Sequence, residues 1–73
     1  MRKQEIKRVA QAAILRGTKE KIALSKLTIH KFVTNDNVTF QSIVASKDNT
    51  VYLIDFYSRT ITVTTTSQYK TAF

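Results

Sequence analysis

The run Val51-Tyr52-Leu53-Ile54-Asp55-Phe56-Tyr57 constrains this chain more than any other stretch. It is the most apolar segment, it is rich in β-branched and aromatic residues, and it is bounded by Lys47-Asp48-Asn49 and Ser58-Arg59. That composition predicts a β-strand. Side chains of a strand alternate between two faces, so Val51, Leu53, Asp55 and Tyr57 share one side and Tyr52, Ile54 and Phe56 the other. Neither side is clearly polar. Such a strand sits centrally and is covered on both faces, or is covered on one and makes contacts through the other. In a chain of 73 residues the remaining segments must supply that cover.

Residues 2–16 predict an amphipathic helix. Ile6, Val9, Ala10, Ala13 and Ile14 recur at the spacing of one helical face, with Gln4, Lys7, Arg8 and Gln11 opposite. Gly17 suits the left-handed position just past a helix end. The small Ala10, Ala12 and Ala13 allow close approach to a sheet. Residues 17–25 read either as a short helix capped by Thr18 or as a linker that turns into a strand, the latter preferred. From Lys26 the pattern is β. Lys26 to Thr34 places Leu27, Ile29 and Val33 on one face and Thr28, His30 and Phe32 on the other. Asn35-Asp36-Asn37 signals a turn. Val38 to Ala45 places Val38, Phe40 and Val44 opposite Thr39, Gln41 and Ile43. Thr60 to Thr66 follows the central strand, and Ser67 to Phe73 is a tail that either adds a short fifth strand or anchors on a neighbour. The expected fold is α+β: one domain, residues 1–73, with an N-terminal helix packed on a four- or five-stranded antiparallel meander over residues 26–66.

Composition narrows the function. A domain of this size buries only about 60% of the surface its unfolded chain exposes, which disfavours a deep cleft and makes homo-oligomerisation a natural way to bury more. The chain has no Cys, no Pro and one Gly, which excludes a disulfide framework, thiolate chemistry and a Gly-rich phosphate loop. No apolar run approaches the ~20 residues of a membrane span. The N-terminus does not form a convincing signal peptide, and the expectation is a soluble, cytoplasmic protein. The net charge is +7, and residues 1–31 carry all of the excess. That asymmetry points to a polyanionic partner, with a charged solubilising face as the plain alternative.

No catalytic constellation is evident. The five carboxylates are scattered. Asp55 is the one expected to be buried, paired with Arg59 or Lys31. The lone His30 with no Cys cannot make a conventional zinc site. Neither an enzyme nor a cofactor is expected. The informative arrangement is basic residues interleaved with aromatics, because cations neutralise phosphates and rings stack on bases. Lys3, Lys7, Arg8, Arg16, Lys19, Lys21 and Arg59 are the candidate phosphate contacts, and Tyr52 and Tyr57 the candidate stacking residues, with Tyr69 also a contact candidate. Phe32, Phe40 and Phe56 are expected in the core.

The order of elements resembles the Sm-like fold of bacterial RNA chaperones, a small SH3-like barrel. There Gln4 to Arg16 would be the helix and Lys26 to Thr66 most of the sheet, with Asp48-Asn49 in a turn similar in position to a family turn containing Asp. Val38 to Ala45 lacks the Gly that lets the family's second strand bend, and Tyr69-Lys70-Thr71 stands in place of the family's Tyr-Lys-His segment. The resemblance implies a strongly bent sheet, ring assembly and single-stranded RNA binding. The reading from sequence is a small, basic, non-catalytic nucleic-acid-binding protein, RNA or single strands ahead of duplex DNA. Its alternative is a regulatory or inhibitory module that docks its basic helix or its sheet edge on an acidic protein.

Overall fold

The computed structural model describes residues 3–36 and 39–72. Helix α1 spans Lys3–Thr18, and its apolar stripe is the face that the spacing marks. Ile6, Ala10, Ala13 and Ile14 are buried, with Val9 packed beside them. The helix runs past the expected stop at Arg16. Gly17 lies inside its last turn, and Lys19 takes the left-handed conformation (φ 65°). The Lys19 N–H closes the end by donating to the Leu15 carbonyl at 2.8 Å. Gly17 is small for a packing reason instead: a Cβ there would lie 2.5 Å from Cδ1 of Ile61.

The chain then turns back along the helix. Gln11 Nε2 donates to the Ile22 carbonyl at 2.6 Å, and Ile22 and Leu27 are buried on either side of a single 3-10 turn at Leu24–Lys26. Thr18 caps no second helix. Its hydroxyl donates to the Ile14 carbonyl at 2.8 Å, so it tightens the end of α1.

Strands β1 (Thr28–Asn35), β2 (Thr39–Lys47), β3 (Thr50–Asp55) and β4 (Thr60–Thr65) form one antiparallel sheet in chain order. The meander is as expected, with the most apolar run in an inner strand. The sheet is open. β1 and β4 are its two edges, so the barrel implied by the Sm-like resemblance does not form, and a fifth strand is replaced by helix α2 (Thr66–Ala72). Phe73 and Val38 lie outside the described residues.

Two irregularities re-aim side chains that simple alternation misplaces. A register shift at His30 moves Phe32 onto the same side as Ile29, opposite Ile43, and sends Val33 to the other side. A second shift, at Gln41, places Phe40 against the core together with Ile43 and Ala45. One extra residue in a strand inverts the facing of everything beyond it.

Helix α1 covers the face carrying Ile43, Ala45, Tyr52 and Ile54. The face carrying Val44, Val51 and Leu53 is covered at one end by α2, which packs on β3 and β4. Val51 is fully buried there, and the Tyr69 ring stands 6.5 Å from that of His30. The rest of this face is a shallow depression lined by Ser42, Val44, Leu53, Asp55, Thr60 and Thr62.

Candidate nucleic-acid interface

The β3–β4 turn is built on Asp55. This carboxylate is exposed and forms no ion pair with Arg59 or Lys31, correcting the expectation of a buried, paired acid. Its Oδ1 accepts the N–H of Tyr57 at 2.9 Å and of Ser58 at 3.3 Å. An Asp that bonds its own following backbone fixes a tight turn. Ser58 and Thr60 share a hydroxyl hydrogen bond of 2.8 Å across the same turn. The turn closes with Arg59 in the left-handed region (φ 59°), where a residue bearing a Cβ is disfavoured by roughly 1–2 kcal/mol.

This geometry puts the Tyr57 side chain into solvent, 91% exposed, and directs Arg59 toward the end of α1. A groove of ≈ 560 Å³ lies between this turn and the end of α1, with Arg16, Gly17, Phe56, Arg59 and Ile61 among its lining residues. Phe56 also ends a row of three rings. Its centroid lies 6.2 Å from that of Phe40, which lies 6.1 Å from that of Phe32. Phe40 and Phe56 are half-buried against the core, in line with expectation, whereas Phe32 is 45% exposed. The row therefore leads from the groove floor to the surface at the β1 edge. Asp55 also lines the groove, its charge engaged by two backbone N–H groups.

The candidate residues separate. Arg16 and Arg59 share the groove, although they stand 43 positions apart in the chain and nothing in the sequence pairs them. Arg8, Lys19 and Lys21 are exposed and Lys7 is half-exposed, but none of them lines the groove. The side chain of Lys3 lies outside what is described. Among the described residues the one ion pair is Lys47 with Glu20 at 3.3 Å, so Arg8, Arg16, Lys19, Lys21 and Arg59 are held in no ion pair there.

Tyr52 must be removed from the contact set. It is 3% exposed, because α1 covers the face that Tyr52 shares with Ile54. Its hydroxyl donates to Glu20 Oε2 at 3.2 Å. Burial, then the Glu20 charge, then that hydrogen bond push the Tyr52 pKa above its ordinary value. Tyr52 is a core residue that ties the α1–β1 linker to the sheet. Tyr69 is half-buried.

His30 Nε2 and Ser46 Oγ lie 2.6 Å apart, the pairing of a base with a hydroxyl. Among the described residues no group of acids, His or Cys gathers as a metal site.

No family model, curated protein or solved structure matches the chain.

Proposed function

We propose that this domain binds single-stranded nucleic acid without altering it. The observation that carries the reading is the groove lined by Arg16, Phe56 and Arg59, with the exposed Tyr57 in the same β3–β4 turn as Phe56 and Arg59. A phosphodiester fits between two guanidiniums, which present several N–H donors to its oxygens. A base of the same strand stacks on Tyr57, an interaction worth about 1–3 kcal/mol. The other unpaired cations on α1 and its linker add a diffuse attraction along the strand, through release of condensed counterions. A duplex keeps its bases stacked inside and gains nothing from Tyr57, which places single strands first.

The test is fluorescence anisotropy of labelled single-stranded RNA, single-stranded DNA and duplex DNA over a salt series. Single strands bind more tightly than duplex, and affinity falls as salt rises. Tyr57→Ala weakens single-strand binding about 5- to 150-fold, the equivalent of one lost stack. Absence of binding at low salt sinks the proposal. The second reading, an acidic protein partner, uses the same cations but has no need of an exposed ring. Binding that depends on Arg16 and Arg59 and is indifferent to Tyr57→Ala would favour it.

A further inference from the structure

The two edges of the sheet differ. The β1 edge carries His30 and Lys31 and is interrupted by the bulge at His30, devices that discourage a further strand from pairing. The β4 edge has neither. Its sequence Thr60-Ile61-Thr62-Val63-Thr64-Thr65 holds no charge and no Pro, and it pairs with β3 residue for residue.

Two hydrogen bonds fix which of its backbone groups are free. Phe56 N–H donates to the Gln41 carbonyl at 3.0 Å, toward β2, and Thr66 N–H donates to the Asn49 carbonyl at 2.9 Å, toward β4. Backbone groups alternate in direction along an antiparallel strand. Even-numbered residues of β3 therefore bond to β2 and odd-numbered ones to β4. Val51, Leu53 and Asp55 pair with Thr64, Thr62 and Thr60, so these threonines spend their backbone groups on β3. The N–H and C=O groups of Ile61 and Val63 point outward, with no protein partner among the described residues. Val63 is also 52% exposed.

We infer that β4 is the interface of a two-fold homodimer, in which two copies pair antiparallel about Thr62 to make one eight-stranded sheet. The occupant follows from the strand itself. Centred on Thr62, Ile61 faces Val63 of the other copy twice, on the side of the sheet covered by α1. Thr62 faces Thr62, and Thr60 faces Thr64, on the opposite side. Every pair joins like with like, and β-branched and Thr–Thr pairs are favourable across strands. The free groups of Ile61 and Val63 meet as one hydrogen-bonded pair on each side of the axis. Arg59 falls opposite Thr65, so no cation meets a cation in the ladder. An acidic partner strand would find no base on this edge to pair with. Two strands of this length bury less than the ~1,200 Å² of a standard interface, which places the dimer at micromolar strength or weaker.

Sedimentation equilibrium on nuclease-treated full-length protein, from about 1 μM to about 1 mM, tests this in about 0.5 M salt, which screens repulsion between the basic chains. A concentration-dependent dimer is expected, strengthened by salt. Val63→Lys raises its dissociation constant about tenfold or more. Because the chain has no Cys, Thr62→Cys gives a disulfide-linked dimer on oxidation. Thr28→Cys, an exposed position on the β1 edge, does not. Circular dichroism confirms that each variant is folded. A monomer over the whole range overturns the inference. So does a dimer that Val63→Lys leaves intact, or cross-linking of Thr28→Cys as complete as that of Thr62→Cys.

Discussion

Arg59→Gly should make this protein more stable and a weaker nucleic-acid binder. Arg59 occupies the left-handed region at φ 59°, which costs a Cβ-bearing residue roughly 1–2 kcal/mol. Gly removes that cost but adds about 0.5–1 kcal/mol of freedom to the unfolded chain. The Arg59 side chain is exposed and makes no ion pair among the described residues, so its removal breaks none. The net gain is about 0.5–1 kcal/mol, which in a domain of this size raises the thermal midpoint by roughly 2–8 °C. Arg59→Ala separates backbone from side chain, because it deletes the charge and keeps the strain. Thermal and urea denaturation of the three proteins, beside anisotropy titrations, gives the readout. Both variants lose one phosphate contact, which lowers the salt slope of single-strand binding by about 0.7, yet only Arg59→Gly gains stability. An unchanged or lowered midpoint for Arg59→Gly would refute the strain argument. An unchanged salt slope in both would remove Arg59 from the interface. The chain also holds Lys19 at φ 65°, so two left-handed positions that Gly would fill more cheaply are occupied by cations.

Tyr52→Phe should cost about 0.5–1.5 kcal/mol at neutral pH through loss of the bond to Glu20. The wild-type pKa is raised above 10.0, so the stabilisation is complete below that pH and is lost as pH climbs through the folded-state pKa, where the unfolded phenol already ionises. Urea midpoints measured from neutrality to about pH 11 should show the gap between the two proteins narrowing on the alkaline side, and a constant gap contradicts this. Gly17→Ala gains up to about 1 kcal/mol of helix propensity but sets a methyl 2.5 Å from Ile61 Cδ1, an overpacking cost of about 1–3 kcal/mol. The variant should be less stable, and Ile61→Val, which deletes Cδ1, should recover about 1 kcal/mol in a double-mutant cycle. A Gly17→Ala protein more stable than wild type, with no coupling to Ile61, is the contrary result.

Several features were legible in the residues. The α1 stripe, the inner strand and the turns at Asn35-Asp36 and Asp48-Asn49 all rest on local period and turn chemistry, which a chain displays in linear order. Helix α2 also left a signal that a Thr run obscured. Thr65-Thr66-Ser67-Gln68 has the spacing of a capping box, and the Thr65 hydroxyl accepts the Gln68 N–H at 3.2 Å. The bulges at His30 and Gln41 left none, and with them went the facing of Phe32, Val33 and Phe40.

For the candidate site, the sequence determined the inventory: a charge of +7 concentrated in residues 1–31, an aromatic at Tyr57, and no thiol or Gly-rich loop. Only the tertiary structure decided which face of β3 lies under α1. That choice buried Tyr52 with Ile54, and the crossing of α1 over β4 at Gly17 joined Arg16 to Arg59. The physical reason is that β3 is apolar on both sides, so alternation along the chain cannot say which side is covered. The packing of a helix on one face settles that through contacts between residues far apart in sequence.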